Sequence, residues 1–378
     1  MTRVLVVDDS ALMRKQLVSM LQGEPGFEVE TARNGREALQ QLDRFGPDVI
    51  TLDINMPEMD GLTALSHIMV QRPTPVVMLS SLTEKGAMAT LEAMALGAVD
   101  YLPKPDGTIS LSIDQVRSDL LCKVRAAAGA RLLKGVRPAT PAAATRKEPP
   151  APRREMPTRP VTPAASATVA RRAPLVPTRA APMSGKYPFG LVVIGVSTGG
   201  PRTLEEILPS LPAHFPWPIL VAQHMPVAFT GPFANRLDAH CALKVAEVNQ
   251  PTVLEAGKVY IAQGGSDMLV SDRGGRLYAV VKPADPRYAW HPSVEALVES
   301  ALRICAPKQL ITVMLTGMGD DGADAMVEVF RQGGRTIAES ERSAVVFGMP
   351  GELVKRGGAT LTLDSAQIAD QLVQWTLH

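Results

Sequence analysis

The sequence predicts an α/β protein made of two doubly wound, mostly parallel sheets joined by an unstructured tether. Three observations predict it. Residues 1–125 and 187–378 each alternate short apolar runs with segments of helical period, the pattern of successive βα units. Between them the periodicity stops, and 12 of the 32 prolines fall between Pro138 and Pro188. A chain of 378 residues is also too long for one ordinary core.

In the first segment, Val4–Val7, Val29–Ala32, Val49–Leu52, Val76–Leu79 and Val99–Leu102 read as strands. Ala11–Leu21, Arg36–Phe45, Leu62–Val70, Lys85–Leu96 and Ile113–Arg125 read as the helices between and after them. From 126 to 186, Pro mixes with Ala, Thr and Arg, a composition that buries too little apolar surface to fold. That stretch carries a net charge of +10 within a chain of +1, leaving −9 on the two folded parts. It lacks interleaved aromatics, so it reads as a solvated spacer and not as a nucleic-acid binder.

From Phe189 the alternation resumes. Strands are expected at Leu191–Val196, Pro218–Gln223, Val259–Ala262, Leu277–Val281, Leu310–Leu315, Arg335–Ala338 and Ala359–Leu363. Helices are expected at Thr203–Leu208, Phe229–Ala239, Pro292–Ile304, Gly322–Gln332 and Ser365–Trp375. Pro292 reads as the first residue of its helix, with Glu295 in the first turn. The three cysteines are far apart and lack metal-ligand spacing, which suits reduced thiols and a cytoplasmic protein. No apolar run approaches the length of a membrane helix and the N-terminus is not a signal peptide, so no membrane insertion is expected.

Function in such folds gathers at the carboxyl ends of the strands. In the first segment that edge collects Asp8 and Asp9, Asp53, Ser80 and Lys104. Three carboxylates in one pocket repel unless a cation neutralises them, and Mg²⁺ suits carboxylates beside a phosphoryl group. Lys104 adds a point charge able to touch a phosphoryl oxygen. Val-Asp8-Asp9-Ser, Leu-Asp53-Ile-Asn-Met-Pro-Glu-Met-Asp-Gly61, Met-Leu-Ser80-Ser and Tyr101-Leu-Pro-Lys104-Pro together resemble a response-regulator receiver domain, over roughly residues 2–125. The resemblance implies a flavodoxin-like (βα)5 fold in which Asp53 accepts a phosphoryl group from a histidine kinase. It also implies Mg²⁺ held by Asp9, Asp53 and the Asn55 carbonyl with Asp8 nearby, and Ser80 and Tyr101 as switch residues.

In the second segment Leu191-Val-Val-Ile-Gly-Val-Ser197-Thr-Gly-Gly200 runs a buried strand into a serine bracketed by glycines. Such a turn can hold a nucleophilic hydroxyl clear of the sheet, or cradle a phosphate. The dinucleotide spacing is missing, and the region about 20 residues on holds Gln223-His224 in place of a ribose-binding acid. Ala222-Gln-His224-Met-Pro226 puts a histidine after one strand, and Leu315-Thr-Gly-Met318-Gly-Asp320-Asp321-Gly322 puts carboxylates after another. Ser197, His224 and an aspartate can therefore meet at one edge. His67 and His378 read as surface residues, and His214 and His240 sit among loop or helix-end signals that do not suit a catalytic role; His291, in a Trp290-His-Pro-Ser turn, is the stronger rival base. Asp267, Asp272 and Asp285 read as loop carboxylates.

The chain order Ser, His, Asp differs from that of the α/β-hydrolases and of the two protease classes. With Tyr-Ile-Ala-Gln-Gly264, His-Pro-Ser-Val-Glu295 and Val-Phe-Gly-Met-Pro350, these motifs resemble the chemotaxis protein-glutamate methylesterases of the CheB family over about residues 188–376. One departure is Asp320, where that family often carries Asn. The resemblance implies a phosphorylation-regulated serine esterase that converts glutamate methyl esters on chemoreceptors to glutamate and methanol, and deamidates related glutamines. Ser197 would be nucleophile, His224 base and Asp321 its orienting acid. The Met318 amide would serve the oxyanion and Thr198 would shape the site, with no cofactor for the ester step. The domains implied are a receiver (1–125), a flexible linker (126–186) and a catalytic domain (187–378), with the unphosphorylated receiver covering the cleft. The competing reading is a receiver-controlled binding module whose second domain is catalytically silent.

Overall fold

The computed structural model describes residues 1–104, 113–130 and 187–377. Most of the expected tether lies outside the described residues, as does His378.

The first domain follows the predicted alternation. Its strands are β1 (Thr2–Val7), β2 (Phe27–Ala32), β3 (Val49–Asp53), β4 (Val76–Ser80) and β5 (Asp100–Pro103). They pair in parallel in the order β2-β1-β3-β4-β5. Helices α1 (Ala11–Gln22), α2 (Gly35–Arg44), α3 (Gly61–Gln71), α4 (Glu84–Leu96) and α5 (Ile113–Ala128) cover the faces, α5 running three residues past the expected Arg125. Ser10, Asn34, Asp60 and Thr83 each cap a helix by accepting from the amide three residues on, satisfying donors the helix cannot. Every residue of β3 and β4 is buried, which is why both read as unbroken apolar runs.

The second domain holds a seven-stranded parallel sheet, ordered β15-β14-β13-β6-β7-β10-β8, and a small antiparallel sheet, β11-β12-β9. Its elements are β6 (Leu191–Val196), α6 (Gly200–Ile207), β7 (Ile219–Gln223), α7 (Val227–His240), β8 (Lys244–Val248), β9 (Thr252–Val253), β10 (Lys258–Ala262), β11 (Ser266–Arg273), β12 (Arg276–Pro283), α8 (Val294–Ile304), β13 (Leu310–Met314), α9 (Ala323–Arg331), β14 (Arg335–Glu339), α10 (Met349–Lys355), β15 (Leu361–Leu363) and α11 (Ser365–Leu377).

Three expectations are corrected. Strands β8, β9 and β11 and helix α10 were not foreseen. Asp267 and Asp272 lie on β11, not in loops, because Gly274 and Gly275 (φ +61° and +81°) close a tight hairpin with β12. Pro292 precedes α8 instead of opening it, because the Ser293 hydroxyl caps the helix by accepting from Ala296 N–H.

The order β13-β6-β7 positions the candidate site, because it sets three loop-bearing strand ends side by side. Val196 pairs with Gln223 and Met314 with Gly195, so the residues that follow leave the sheet at one place. The two domains meet along that edge. Helix α4 packs on α6 and α7, and the Tyr101 ring stacks on Phe229 with centroids 4.7 Å apart.

Candidate active site and phosphoacceptor pocket

Ser197 follows β6 on a turn closed by its own carbonyl, which accepts from Gly200 N–H at 2.8 Å. Gly199 sits at φ +79°, and a Cβ there would lie 2.7 Å from Val345, so that position demands glycine twice over. The Ser197 amide donates to Thr316 O at 3.0 Å, and the Thr316 hydroxyl donates to Thr198 O at 2.8 Å. The serine turn is thereby tied to the turn after β13. That second turn comes close: a Cβ on Gly317 would lie 2.7 Å from the Ser197 Cβ, which brings the backbone of Gly317 and Met318 up to the serine.

His224 follows β7, and its amide donates to Val196 O at 3.1 Å. Its Nε2 lies 2.8 Å from Asp321 Oδ2, with both side chains under 10 % exposed. Its Nδ1 is buried and has no protein partner among the described residues. The Trp290 indole stacks on the imidazole at 5.2 Å between centroids and 12° between planes, shielding one face from water.

Asp321 is the most heavily bonded carboxylate at this edge. Beyond His224 it accepts from Val294 N–H (2.7 Å), Glu295 N–H (3.0 Å) and Ser293 Oγ (3.1 Å), all at the N-terminus of α8. Burial pushes its carboxyl up, but the bonds from His224 and the two amides outweigh that and hold it below its ordinary value. Asp320 turns outward to Arg356 (2.6 Å), which also holds Asp324 (2.7 Å). The extra charge beside the site is therefore paired outside it. His291 has its own partner, Asp267, at 3.0 Å, and does not join the cluster around His224. His67, His214 and His240 are exposed.

Two polar residues at this edge were not singled out from sequence. Glu339, at the end of β14, is fully buried, accepts from Thr316 N–H (2.8 Å) and Ser343 Oγ (2.9 Å), and is pushed up to about 7 by burial. Asp100, in the first domain, accepts from Thr198 Oγ1 at 2.6 Å across the domain boundary. Glu339 ends a strand of the same parallel sheet and was legible in principle. Asp100 was not, because its partner lies 98 residues away in another domain.

In the first domain one carboxylate oxygen from each of Asp8, Asp9 and Asp53 lies within 4.8 Å of the others. This compact set of hard oxygen donors fits Mg²⁺. Lys104 Nζ lies 2.8 Å from both Asp8 and Asp53. Burial raises the Asp53 carboxyl above its ordinary value against the opposing pull of Lys104, and the Asn55 amide also bonds to it. The Ser80 hydroxyl donates to Gly86 O (3.2 Å) and meets Thr90 Oγ1 (2.7 Å), both on α4. Lys123 Nζ holds Asp100 (2.9 Å) and the Tyr101 carbonyl (2.8 Å).

The CheB methylesterase family matches residues 192–372, and the response regulator receiver domain family matches residues 4–112. A Rhodospirillum rubrum protein-glutamate methylesterase/protein-glutamine glutaminase is 54% identical, covering 99% of this chain and 96% of that protein. A Rhodopseudomonas palustris protein of the same description is 50% identical, covering 99% of this chain and 98% of that one. A solved CheB methylesterase catalytic domain from Thermotoga maritima is 38% identical, covering 49% of this chain and 98% of that one, with a TM-score of 0.48. Among the described residues no helix is long and apolar enough to cross a membrane.

Proposed function

Because the chain belongs to the CheB methylesterase family and carries a receiver domain in front, we propose that it hydrolyses γ-glutamyl methyl esters on chemoreceptors under control of Asp53 phosphorylation. It is a carboxylic ester hydrolase, and membership of the family sets aside the catalytically silent module and the dinucleotide-binding enzyme. The methylated cytoplasmic part of a chemoreceptor is the substrate, and receptor glutamines are deamidated by the same route.

The observation that carries the mechanism is the buried, unpartnered Nδ1 of His224, on a ring whose Nε2 is committed to Asp321. With the Nε2 proton donated to Asp321, Nδ1 keeps its lone pair and takes the Ser197 proton as the hydroxyl oxygen attacks the ester carbonyl. Asp321 stabilises the imidazolium formed in that step. The Met318 amide, brought up to Ser197 by the close approach of Gly317, donates to the oxyanion, and Thr198 shapes the neighbouring wall. The C–O bond to the methoxy group breaks, and His224 returns the proton to give methanol. Water then repeats the sequence on the acyl-enzyme, releasing glutamate. A glutamine releases ammonia in place of methanol.

Control acts through the contact edge. The receiver lays Asp100 on Thr198, Tyr101 on Phe229, and Cys122 Sγ 3.6 Å from Met318 Sδ, so it abuts both neighbours of the reacting atoms. A histidine kinase supplies the phosphoryl group to Asp53. Mg²⁺ held by Asp9, Asp53 and the Asn55 carbonyl would neutralise charge on the phosphoryl oxygens during transfer. The added negative charge and acceptor oxygens draw in Lys104 and the Ser80 hydroxyl, which gives up its bond to α4. Helix α4 packs on α7, so its release loosens the receiver from the cleft.

Methanol release from methylated receptor, with and without a small phosphodonor and Mg²⁺, tests the proposal. Activity should rise with both present, and Asp53→Asn should abolish the rise while keeping basal turnover. A response that survives Asp53→Asn or chelation of the metal would sink the phosphorylation arm. Asp100→Ala should raise basal activity roughly 5- to 150-fold without phosphodonor, the span of ordinary coupling energies. Unchanged basal turnover would mean that the Asp100–Thr198 contact does not restrain the site.

A further inference from the structure

The proposed nucleophile and base are tied together by a side chain that takes no part in the proton path. Gln223 ends β7 and is 2 % exposed. Its Nε2 lies 3.1 Å from the Ser197 carbonyl and 3.1 Å from the His224 carbonyl. The two protons of one carboxamide are thus spent on the backbones of two residues that must face each other.

The need for such a tie follows from the sheet. Strands β6 and β7 pair up to Val196 and Gln223, and the His224 amide adds one more rung to Val196 O. Beyond it each chain turns away into its own helix, so the ladder supplies no further bond. Ser197 and His224 are the first residues past that end. The Gln223 amide provides the missing rung.

The orientation of the amide is fixed. Its Oε1 is buried with no partner among the described residues and pressed on Gly200, where a Cβ would lie 2.0 Å away. Reversing the amide would aim that oxygen at two carbonyl oxygens, which repel it. Leaving a buried acceptor unpaired is costly, and the two donated bonds are what the arrangement retains in exchange.

We infer that Gln223 is a positioning residue that sets the Ser197–His224 separation by clamping both backbones. The inference rests on the proposed roles of those two residues. Gln223→Met keeps the length and burial of the side chain and removes the donor. Measured on the full-length protein with phosphodonor and Mg²⁺, its kcat for methanol release should fall about 100-fold, the effect of an ångström-scale misplacement. KM should stay within about twofold, because the receptor does not touch this side chain. Gln223→Glu supplies the second arm. A protonated carboxyl can donate to one carbonyl, but a carboxylate repels both, so the ratio of variant to unmodified kcat should fall as pH rises from about 6 to 9.

If Gln223→Met stays within threefold in kcat, or loses activity through KM alone, the clamp is wrong. If it does not fold, the Gln223→Glu ratio decides alone, and a ratio within threefold of one at every pH overturns the inference. Ser197→Ala run alongside separates the two levels. Full turnover in Ser197→Ala removes the mechanism itself, whereas an inactive Ser197→Ala beside normal Gln223 variants removes only the clamp.

Discussion

Ser197→Ala should lower methanol release from methylated receptor by about 10⁴- to 10⁶-fold, the usual consequence of removing the nucleophile from a catalytic triad. The loss should come without unfolding. The contacts that hold this turn are made by backbone atoms: the amide to Thr316 O, the carbonyl from Gly200 N–H and from Gln223 Nε2. Alanine keeps all three. The melting temperature should therefore stay within a few degrees of the unmodified protein while activity falls to what the oxyanion site and substrate binding alone supply. Phosphodonor and Mg²⁺ should not restore it, because control through the receiver, as proposed, cannot supply the missing oxygen. Turnover within tenfold of normal would exclude Ser197 as the attacking group.

How far this site could be read from the chain depends on where each partner lies. Ser197 and His224 could be proposed from the chain because each directly follows a buried apolar strand, and parallel strands bring such ends together. The proposed choice of Asp321 over Asp320 came from a family pattern, and the contacts that support it appear only in three dimensions. Asp321 points into the N-terminus of α8, whereas Asp320 points out to Arg356. The fold was read best where strands are buried on both faces, as in β3, β4, β6 and β7. It was read least well in the β11–β12 hairpin, whose half-exposed strands mix charged and apolar residues. The Gly274-Gly275 pair was a turn signal there, but the polar run before it obscured the strand. The contact of Asp100 with Thr198 had no local signal at all. Asp100 falls inside the strand read at Val99–Leu102, and only the docked domain reveals what it holds.

Asp321→Asn should cost about 10⁴-fold in kcat, comparable with the loss when a triad aspartate is made neutral elsewhere. The geometry says why so small a change matters. Asp321 accepts four bonds, with His224 Nε2 and Val294 N–H on one oxygen and Ser293 Oγ and Glu295 N–H on the other. Asparagine offers one oxygen and one NH₂, so one pair of donors must face another donor. If the NH₂ turns to α8, the Glu295 amide is left opposed and the helix start is strained. If it turns to His224, Nε2 must accept, which moves the imidazole proton to Nδ1, the atom that receives the Ser197 proton in the proposed mechanism. Either orientation also removes the charge that stabilises the imidazolium. Stability should fall by about 1–3 kcal/mol from the unsatisfied buried donor, while KM for the receptor should change little. Steady-state kinetics, with nitrogen-15 shifts of His224 to identify its tautomer, check both parts. A kcat within tenfold of normal, or an Nδ1 that already carries the proton in the unmodified protein, would mean that the base works through the other nitrogen and that the site needs a different proton path.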